Sequence, residues 1–198
     1  KVAIYVMLRF LFSVFQPGFL AEVPTLDLVL YPFAILAMFA ASYTAILQRD
    51  LKRMLAYSSI GQVGYMLLGI ALLSESGLMA TMIHLFNHGI TKAALFMGVG
   101  VYVLNGGGSF YHNLRGRGKT MPWTSAAMVV AGLSLIGVPG TAGFLSKWLL
   151  VEATLEQGLW PIALLIVASS LLAVIYVWKL IPSTNQPGHH RNINRDTI

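Results

Sequence analysis

Long apolar runs alternate with short polar segments along most of the chain. Five of these runs are predicted to be spans, and they lie at about Val2 to Phe15, Leu26 to Leu47, Met54 to Leu73, Leu78 to Leu104 and Leu159 to Ile181. A helix of about 20 residues crosses the roughly 30 Å hydrocarbon core of a bilayer. With a further apolar region between residues 122 and 156, the pattern predicts an all-α, polytopic transmembrane bundle of about six helices.

The apolar region from Pro122 to Glu156 is too long for one straight membrane helix. At 1.5 Å per residue it would extend about 52 Å. Pro139, Gly140 and Gly143 lie in its middle, where proline removes a helix hydrogen bond and glycine lowers helix propensity. We therefore predict one broken helix, interrupted near these three residues.

The composition narrows the functional classes. Hydrophobic residues make up 57% of the chain and charged residues only 10%, whereas about a quarter of the residues of a soluble domain carry charge. The sequence contains no cysteine, which excludes disulfides, thiolate metal sites and thiol catalysis. No segment resembles a nucleotide, flavin, haem or iron–sulfur motif, so we expect no cofactor, no metal and no redox centre in this chain.

The net charge of +6 is distributed unevenly about the predicted spans. If each span crosses once, one face collects Arg49, Lys52, Arg53, Arg115, Arg117, Lys119, Arg191 and Arg195. Five of the seven acidic residues fall on or near the other face, namely Glu22, Asp27, Glu75, Glu152 and Glu156. By the positive-inside rule the basic face is cytoplasmic. We therefore expect a multi-pass protein of the cell (inner) membrane and no nucleic-acid partner.

The basic cluster that contains Asp50, Lys52 and Arg53 has two interpretations. It is either an orientation signal, with Asp50 capping the third helix, or a group with a functional role. The sequence favours neither interpretation.

Three titratable residues share one stripe of the fourth span. His84, His88 and Lys92 are spaced four residues apart, which places them along one helix face. A charged side chain at mid-bilayer costs roughly 2.5 to 3.5 kcal/mol and usually marks function. A row of such groups is suited to relay protons. The alternatives are packing histidines with a snorkelling lysine, or a zinc site on the two histidines.

Lys147 is a second candidate, because it follows the predicted helix break by a few residues. Interrupted membrane helices leave backbone groups free, and transporters place ion sites at such interruptions. We therefore favour a role in proton transfer for Lys147. The alternative is that its stem packs among apolar neighbours while its head reaches water.

Three segments together resemble the proton-translocating antiporter family. They are residues 48–60 (QRDLKRMLAYSSI), 84–96 (HLFNHGITKAALF) and 137–147 (GVPGTAGFLSK), and they occur in the family's order over roughly residues 1 to 180. The family comprises subunits L, M and N of respiratory complex I, the large subunits of Mrp-type cation/proton antiporters and related hydrogenase subunits. Within the family, the start of the chain, KVAIY, together with the PGTAGF run, is most similar to the D-type large subunit of Mrp antiporters.

The resemblance implies a larger fold of about fourteen helices with two inverted repeats, of which this chain would hold about the eighth to the thirteenth. It implies that His84, His88 and Lys92 form the central proton relay, that Lys147 is the terminal lysine, and that Lys1 is the lysine of the eighth helix. Residues 1–182 would form an antiporter-like domain truncated at its N-terminus. Residues 183–198 would be a disordered polar tail outside the family pattern.

The expected function is proton translocation in a multisubunit Na+/H+ antiporter. An antiporter-like pumping subunit of NADH:quinone oxidoreductase or of a related hydrogenase is the first alternative. A structural membrane subunit without transport of its own is the second. The expected partners are other membrane subunits, the lipid bilayer, protons and Na+.

Overall fold

The computed structural model describes residues 1–14, 26–105, 108–114 and 119–181. This part of the chain folds into seven α-helices: α1 (Val2–Arg9), α2 (Leu26–Leu47), α3 (Leu51–Ala71), α4 (Glu75–Leu104), α5 (Pro122–Ile136), α6 (Ala142–Glu156) and α7 (Trp160–Trp178). Helix α1 continues into a π-helical segment, Phe10–Val14, and a 3-10 turn covers Tyr111–Leu114. The predicted all-α bundle is confirmed.

Two helices begin earlier than the hydropathy pattern predicts, because a polar residue caps the first turn of each. Helix α3 begins before the predicted Met54, because the Asp50 carboxylate accepts hydrogen bonds from the backbone N–H groups of Lys52 at 2.8 Å and Arg53 at 3.0 Å. Helix α4 likewise begins before Leu78, because Ser74 Oγ caps its first turn. A cap satisfies backbone donors that a helix start leaves free.

The predicted broken helix is present as α5 and α6. Helix α5 ends at Gly137, which adopts the left-handed conformation with φ +90°, a region that favours glycine. Helix α6 restarts at Ala142 behind the Thr141 cap. Gly143, which we expected in the break, lies inside α6 instead. A Cβ at Gly143 would stand 1.7 Å from the carbonyl oxygen of Ser134, so glycine is needed there for close helix packing.

The helices pack into one bundle in which α3 and α4 occupy the centre. Helix α3 packs against α2 and α4, helix α4 also contacts α5 and α6, and α7 contacts α2, α5 and α6. A small apolar cluster of Ile4, Leu8, Met66 and Ile70 lies between α1 and α3, and two larger apolar clusters fill the rest of the interior in the described part of the chain. One includes Leu55, Leu95 and Tyr176, and the other includes Leu68 and Leu150. The two larger clusters are stacked along the helix axes, one towards each end of the bundle.

Hydrogen bonds tie the connecting segments together at both ends of the bundle. At the end we call the basic end, Leu51 N–H donates to the Ser109 carbonyl at 2.7 Å, and the Lys179 ammonium donates to the Ile46 carbonyl. At the opposite end, Gln157 Nε2 donates to the Leu72 carbonyl at 2.7 Å. The connecting segments that the charge pattern assigned to opposite membrane faces therefore lie at opposite ends of the bundle.

The outer surface of the bundle is apolar. Large side chains such as Leu36, Phe86 and Leu171 are 64%, 68% and 64% exposed, a pattern expected of a surface that faces lipid or protein inside a membrane. Among the described residues, three helices are long and apolar enough to cross a bilayer. The tail 183–198, together with Glu22, Arg115, Arg117, Arg191 and Arg195, lies outside the described residues, as does the side chain of Asp27.

Candidate functional site

A layer of buried polar side chains lies between the two larger apolar clusters. It contains the row predicted on α4 together with Lys147 of α6. The exposed fractions are 5% for His84, 3% for His88, 4% for Lys92 and 6% for Lys147. Residues on either side of the layer along α3, Leu55 and Tyr65, belong to different apolar clusters. The layer is therefore at mid-height of the bundle, where a bilayer is least tolerant of charge.

His84 is held at both ring nitrogens. Its Nδ1 lies 2.8 Å from Ser146 Oγ on α6, and its Nε2 lies 3.1 Å from Gln62 Oε1 on α3. The Tyr65 ring packs obliquely against it at 5.7 Å between centroids. Three helices therefore fix the position of this imidazole.

His88 lies one helical turn further along α4, and its ring is stacked on that of His84. The centroids are 6.0 Å apart and the planes differ by 8°. Neither Nδ1 nor Nε2 of His88 has a hydrogen-bond partner among the described residues. Buried polar atoms in native proteins nearly always have partners, including ordered water, so this ring is suited to bind water.

A small cavity adjoins both histidines. It is lined by His84, His88, Gln62, Asn87, Thr91, Ser134, Leu135 and Gly143. Its volume of about 10 Å³ is close to the minimum for one water molecule, and such a water needs two to four polar partners. The polar lining supplies them. A water here could bond His88 and link it to neighbouring groups.

Lys92 reaches from α4 to α3. Its Nζ donates to the Leu55 carbonyl at 2.7 Å and makes a short hydrogen bond to Ser58 Oγ. No carboxylate is among the buried polar side chains of the described part of the chain. The ammonium is therefore stabilised by dipoles alone.

Lys147 binds the end of the preceding half-helix. Its Nζ donates to the carbonyls of Leu135 at 3.1 Å and Ile136 at 2.8 Å, the last two residues of α5, whose carbonyls have no partner within the helix. The ammonium also lies 4.9 Å from the centre of the Tyr65 ring, within range of a cation–π contact. Lys147 therefore caps α5 across the break.

Lys1 reaches the same layer from α1. Its Nζ donates to the His88 carbonyl at 3.1 Å. On the other side of α4, Asn87 Nδ2 donates to the Ala142 carbonyl at 2.8 Å, which ties α4 to the first residue of α6. Four of the five predicted relay residues thus fall in one buried layer, and the exposed Lys1, the residue before α1, reaches its edge on the side of α4 away from Lys147.

Sequence reasoning missed the residues that hold this layer in place. Gln62 and Ser146 bind His84, and Ser58 binds Lys92. Gln62 carried a usable signal, because it is a polar residue in the middle of an apolar span. Ser146 and Ser58 gave little signal in the sequence, because serine is common in membrane helices.

Asp50, Lys52 and Arg53 lie apart from this layer, at the basic end. Asp50 is the N-cap of α3, and Lys52 and Arg53 are exposed. Partial burial raises the pKa of the Asp50 carboxyl, but hydrogen bonds from Ser109 and from two backbone N–H groups outweigh it and bring that pKa below its usual value. The described geometry at this cluster is that of a helix cap.

Comparison with known proteins places the chain in a family. A profile described as NADH:quinone oxidoreductase/Mrp antiporter, transmembrane, matches residues 1–173. Subunit N of the NADH-quinone oxidoreductase of Desulforudis audaxviator is 39% identical over 188 residues, which is 95% of this chain and 37% of that protein. The chain thus spans little more than a third of the length of this curated relative.

Solved structures share the fold. The Mrp complex from a Dietzia species superposes with a TM-score of 0.85 at 28% identity, over 94% of this chain and 34% of that one. A membrane-bound sulfane sulfur reductase, described as an archaeal respiratory membrane complex, superposes with a TM-score of 0.82 at 34% identity, over 95% and 39% respectively. This chain is an antiporter-like, multi-pass membrane protein and belongs to the NADH:quinone oxidoreductase/Mrp antiporter transmembrane family.

Proposed function

We propose that this chain carries protons through its buried polar layer, along a file from Lys1 through His84, His88 and Lys92 to Lys147. The observation that supports it is the set of titratable side chains at mid-height of the bundle, with no buried carboxylate beside them in the described residues. Charged side chains inside a membrane are energetically unfavourable, and those that occur there usually mark a transport pathway.

The contacts indicate how the file would work. The ammonium groups of Lys92 and Lys147 donate hydrogen bonds to backbone carbonyls. These bonds stabilise the charged form, and either lysine can release a proton without breaking an ion pair. The cavity beside His88 offers a place for a bridging water. Proton affinity along the file would then be switched by the charge of neighbouring groups.

The experiment is proton flux in vesicles containing the full-length protein in its complex, with Lys92→Ala and Lys147→Ala. The proposal expects flux to fall to the background leak while the complex still assembles. Thr154→Val is a matched control, because Thr154 is fully buried on α6 and its hydroxyl bonds only its own helix. Normal flux in both lysine variants would refute the relay.

A structural subunit without transport is the competing function. It has a specific observation in its favour, since Lys147 caps α5 and Lys92 binds α3. Under that alternative the two alanine variants reduce the amount of assembled complex but leave flux per assembled complex unchanged. Quantifying the complex in the same vesicles separates the two functions.

The reaction coupled to proton movement has two candidates. Our first is exchange for Na+ or another monovalent cation, supported by the likeness to the Mrp complex. The second is quinone reduction elsewhere in a respiratory complex, supported by 39% identity to a subunit of NADH-quinone oxidoreductase. In vesicles, Na+-driven proton movement without a redox substrate supports the first, and movement that requires NADH and quinone supports the second.

A zinc site on His84 and His88 gains little from the geometry. Both nitrogens of His84 are already hydrogen-bonded to protein, and the described residues hold no cluster of three metal ligands. Zinc binding in a stoichiometric ratio that is lost in His88→Ala would revive this alternative.

The proposal also includes partners and orientation. The chain would lie in the inner membrane among other membrane subunits, with the basic end cytoplasmic. Because the sequence contains no cysteine, single cysteines report each end cleanly. A membrane-impermeant thiol reagent should label Gln157→Cys in intact cells, whereas Lys119→Cys should react only after the cells are opened. The reverse pattern would contradict this orientation.

A further inference from the structure

The His84 ring connects three helices through its two nitrogens. The residue itself lies on α4, its Nδ1 meets Ser146 on α6 at 2.8 Å, and its Nε2 meets Gln62 on α3 at 3.1 Å. Ser146 Oγ is also 3.1 Å from the Gly143 carbonyl. A histidine buried in this way cannot turn its ring without breaking both hydrogen bonds.

Both partners of His84 can reverse their hydrogen-bonding role. The Ser146 hydroxyl can donate its proton either to the Gly143 carbonyl or to Nδ1, and it accepts through its oxygen in the first case. The Gln62 amide carries an oxygen acceptor and an NH₂ donor on the same planar group.

We infer that Gln62 and Ser146 are positioning residues that hold His84 in one orientation in all its protonation states. In the protonated ring, Nδ1–H donates to Ser146, Ser146 donates to Gly143, and Nε2–H donates to the Gln62 oxygen. Loss of the Nε2 proton turns the Gln62 amide, so that its N–H donates to Nε2. Loss of the Nδ1 proton turns the Ser146 hydroxyl towards Nδ1. In each state both nitrogens of the His84 ring keep a protein partner.

This inference extends the proposed function, and its significance for transport rests on that function. A relay residue must gain and lose protons while its ring stays within reach of its neighbours. With fixed partners, His84 keeps its orientation by reorienting one hydroxyl and one amide. The amide does not itself accept a proton, so a proton that passes through these partners must pass through the Ser146 hydroxyl. The nitrogens of His88 lack protein partners among the described residues. Its orientation is therefore not fixed in this way, and its hydrogen bonds would have to come from water.

Other titratable groups surround the same ring and must be held constant in any test. His88 stacks on it from α4 and Tyr65 packs on it from α3. Lys147 of α6 and Lys1 of α1 act on it through their charges. Helix α5 contributes no titratable residue. The variants in which the His84 signals are measured therefore leave these four residues unchanged.

The experiment measures the protonation and tautomer of His84 by nitrogen-15 NMR on the full-length protein in lipid bilayers, with labelled histidine. Gln62→Met removes both amide groups at similar length. Gln62→Glu keeps an oxygen acceptor facing Nε2 and removes the donor. A charge-assisted hydrogen bond of this kind changes the protonated population about tenfold. We expect that population at fixed pH to fall about tenfold in Gln62→Met and to equal or exceed that of the native protein in Gln62→Glu.

A role in packing alone would move both Gln62 variants in the same direction or leave the His84 signals unchanged, and either result overturns the inference. Ser42→Ala serves as the control, because Ser42 is buried and its hydroxyl bonds only the Met38 carbonyl of its own helix. If Gln62→Met does not assemble, Ser146→Ala tests the other nitrogen, and unchanged His84 signals there also overturn it.

Proton flux in the same bilayers separates this inference from the proposed function. One outcome is that the His84 signals change in Gln62→Met but flux is normal in Gln62→Met, Lys92→Ala and Lys147→Ala. That outcome would refute the relay and support the positioning role. Loss of flux in the two lysine variants, with His84 signals indifferent to Gln62, would support the relay and refute the positioning role.

Discussion

The rings of His84 and His88 stack on each other with their planes 8° apart, yet they differ completely in hydrogen bonding. Both nitrogens of His84 are bonded to protein, and neither nitrogen of His88 is bonded within the described part of the chain. Two residues of the same type, one helical turn apart, therefore have different surroundings: His84 has protein partners, whereas His88 faces a small polar cavity with room for about one water molecule.

This contrast predicts unequal effects on stability. His84→Phe leaves Gln62 and Ser146 facing an apolar ring, so we expect the free energy of unfolding to fall by about 1 to 3 kcal/mol. His88→Phe removes no protein hydrogen bond of the described residues and should change it by less than about 1 kcal/mol. Thermal unfolding of the solubilised full-length protein measures the difference. Equal losses in the two variants would contradict the assignment of partners.

Lys147→Arg separates capping from proton transfer. An arginine still donates to the carbonyls of Leu135 and Ile136, but it does not release its proton. We expect assembly and unfolding temperature close to those of the native protein, with proton flux reduced to the background leak. Lys147→Met should lose both, because the two carbonyls then lack a donor. Substantial flux in Lys147→Arg would show that Lys147 serves only as a cap.

Gly143→Ala tests the contact between the two half-helices. The added Cβ would fall 1.7 Å from the Ser134 carbonyl oxygen, so α5 and α6 must separate, at a cost of about 3 kcal/mol or more. Gly100→Ala on α4 is the control, because no atom lies within 4 Å of a Cβ built there. That change should be neutral or stabilising by up to about 1 kcal/mol. The measurement is again the unfolding temperature, and a tolerant Gly143 would contradict the packing.

Much of the fold follows from local sequence, whereas the contacts of the site do not. The predicted bounds of the second span match α2, and the break after Ile136 follows from Pro139 and its glycines. The row on α4 follows from spacing alone. The partners of His84, by contrast, lie 22 and 62 residues away along the chain. Periodicity shows which face of a helix is buried but not which neighbour meets it.

Gly143 illustrates the same limit. Its residue type suggested a helix break, because glycine has low helix propensity. The Thr141 cap restarts the helix at Ala142, one residue before Gly143, and the glycine instead allows the Ser134 backbone to approach. Propensity is local, whereas close packing depends on another helix.

Acid should weaken the basic end through Asp50. The pKa of this carboxyl is lowered below 3.8 in the folded protein, so its stabilising effect is complete above the unfolded value and is lost as pH falls through the folded value. Asp50→Ala should cost about 1 kcal/mol at neutral pH by removing the α3 cap. Asp50→Asn keeps an oxygen that can cap α3 and should remove the acid-dependent part. Unfolding midpoints at pH 7 and pH 3 test this, and equal acid sensitivity in Asp50→Asn and the native protein would contradict it.

The stacking of one apolar cluster on each side of the polar layer has a further consequence. A charge that leaves the layer along the helix axes enters a region of low dielectric constant, where its free energy rises by several kcal/mol. A charge that moves sideways meets further dipoles, from Lys1 on one flank to Lys147 on the other. The two clusters therefore act as electrical insulation, and the proton movement proposed above would be favoured parallel to the membrane surface.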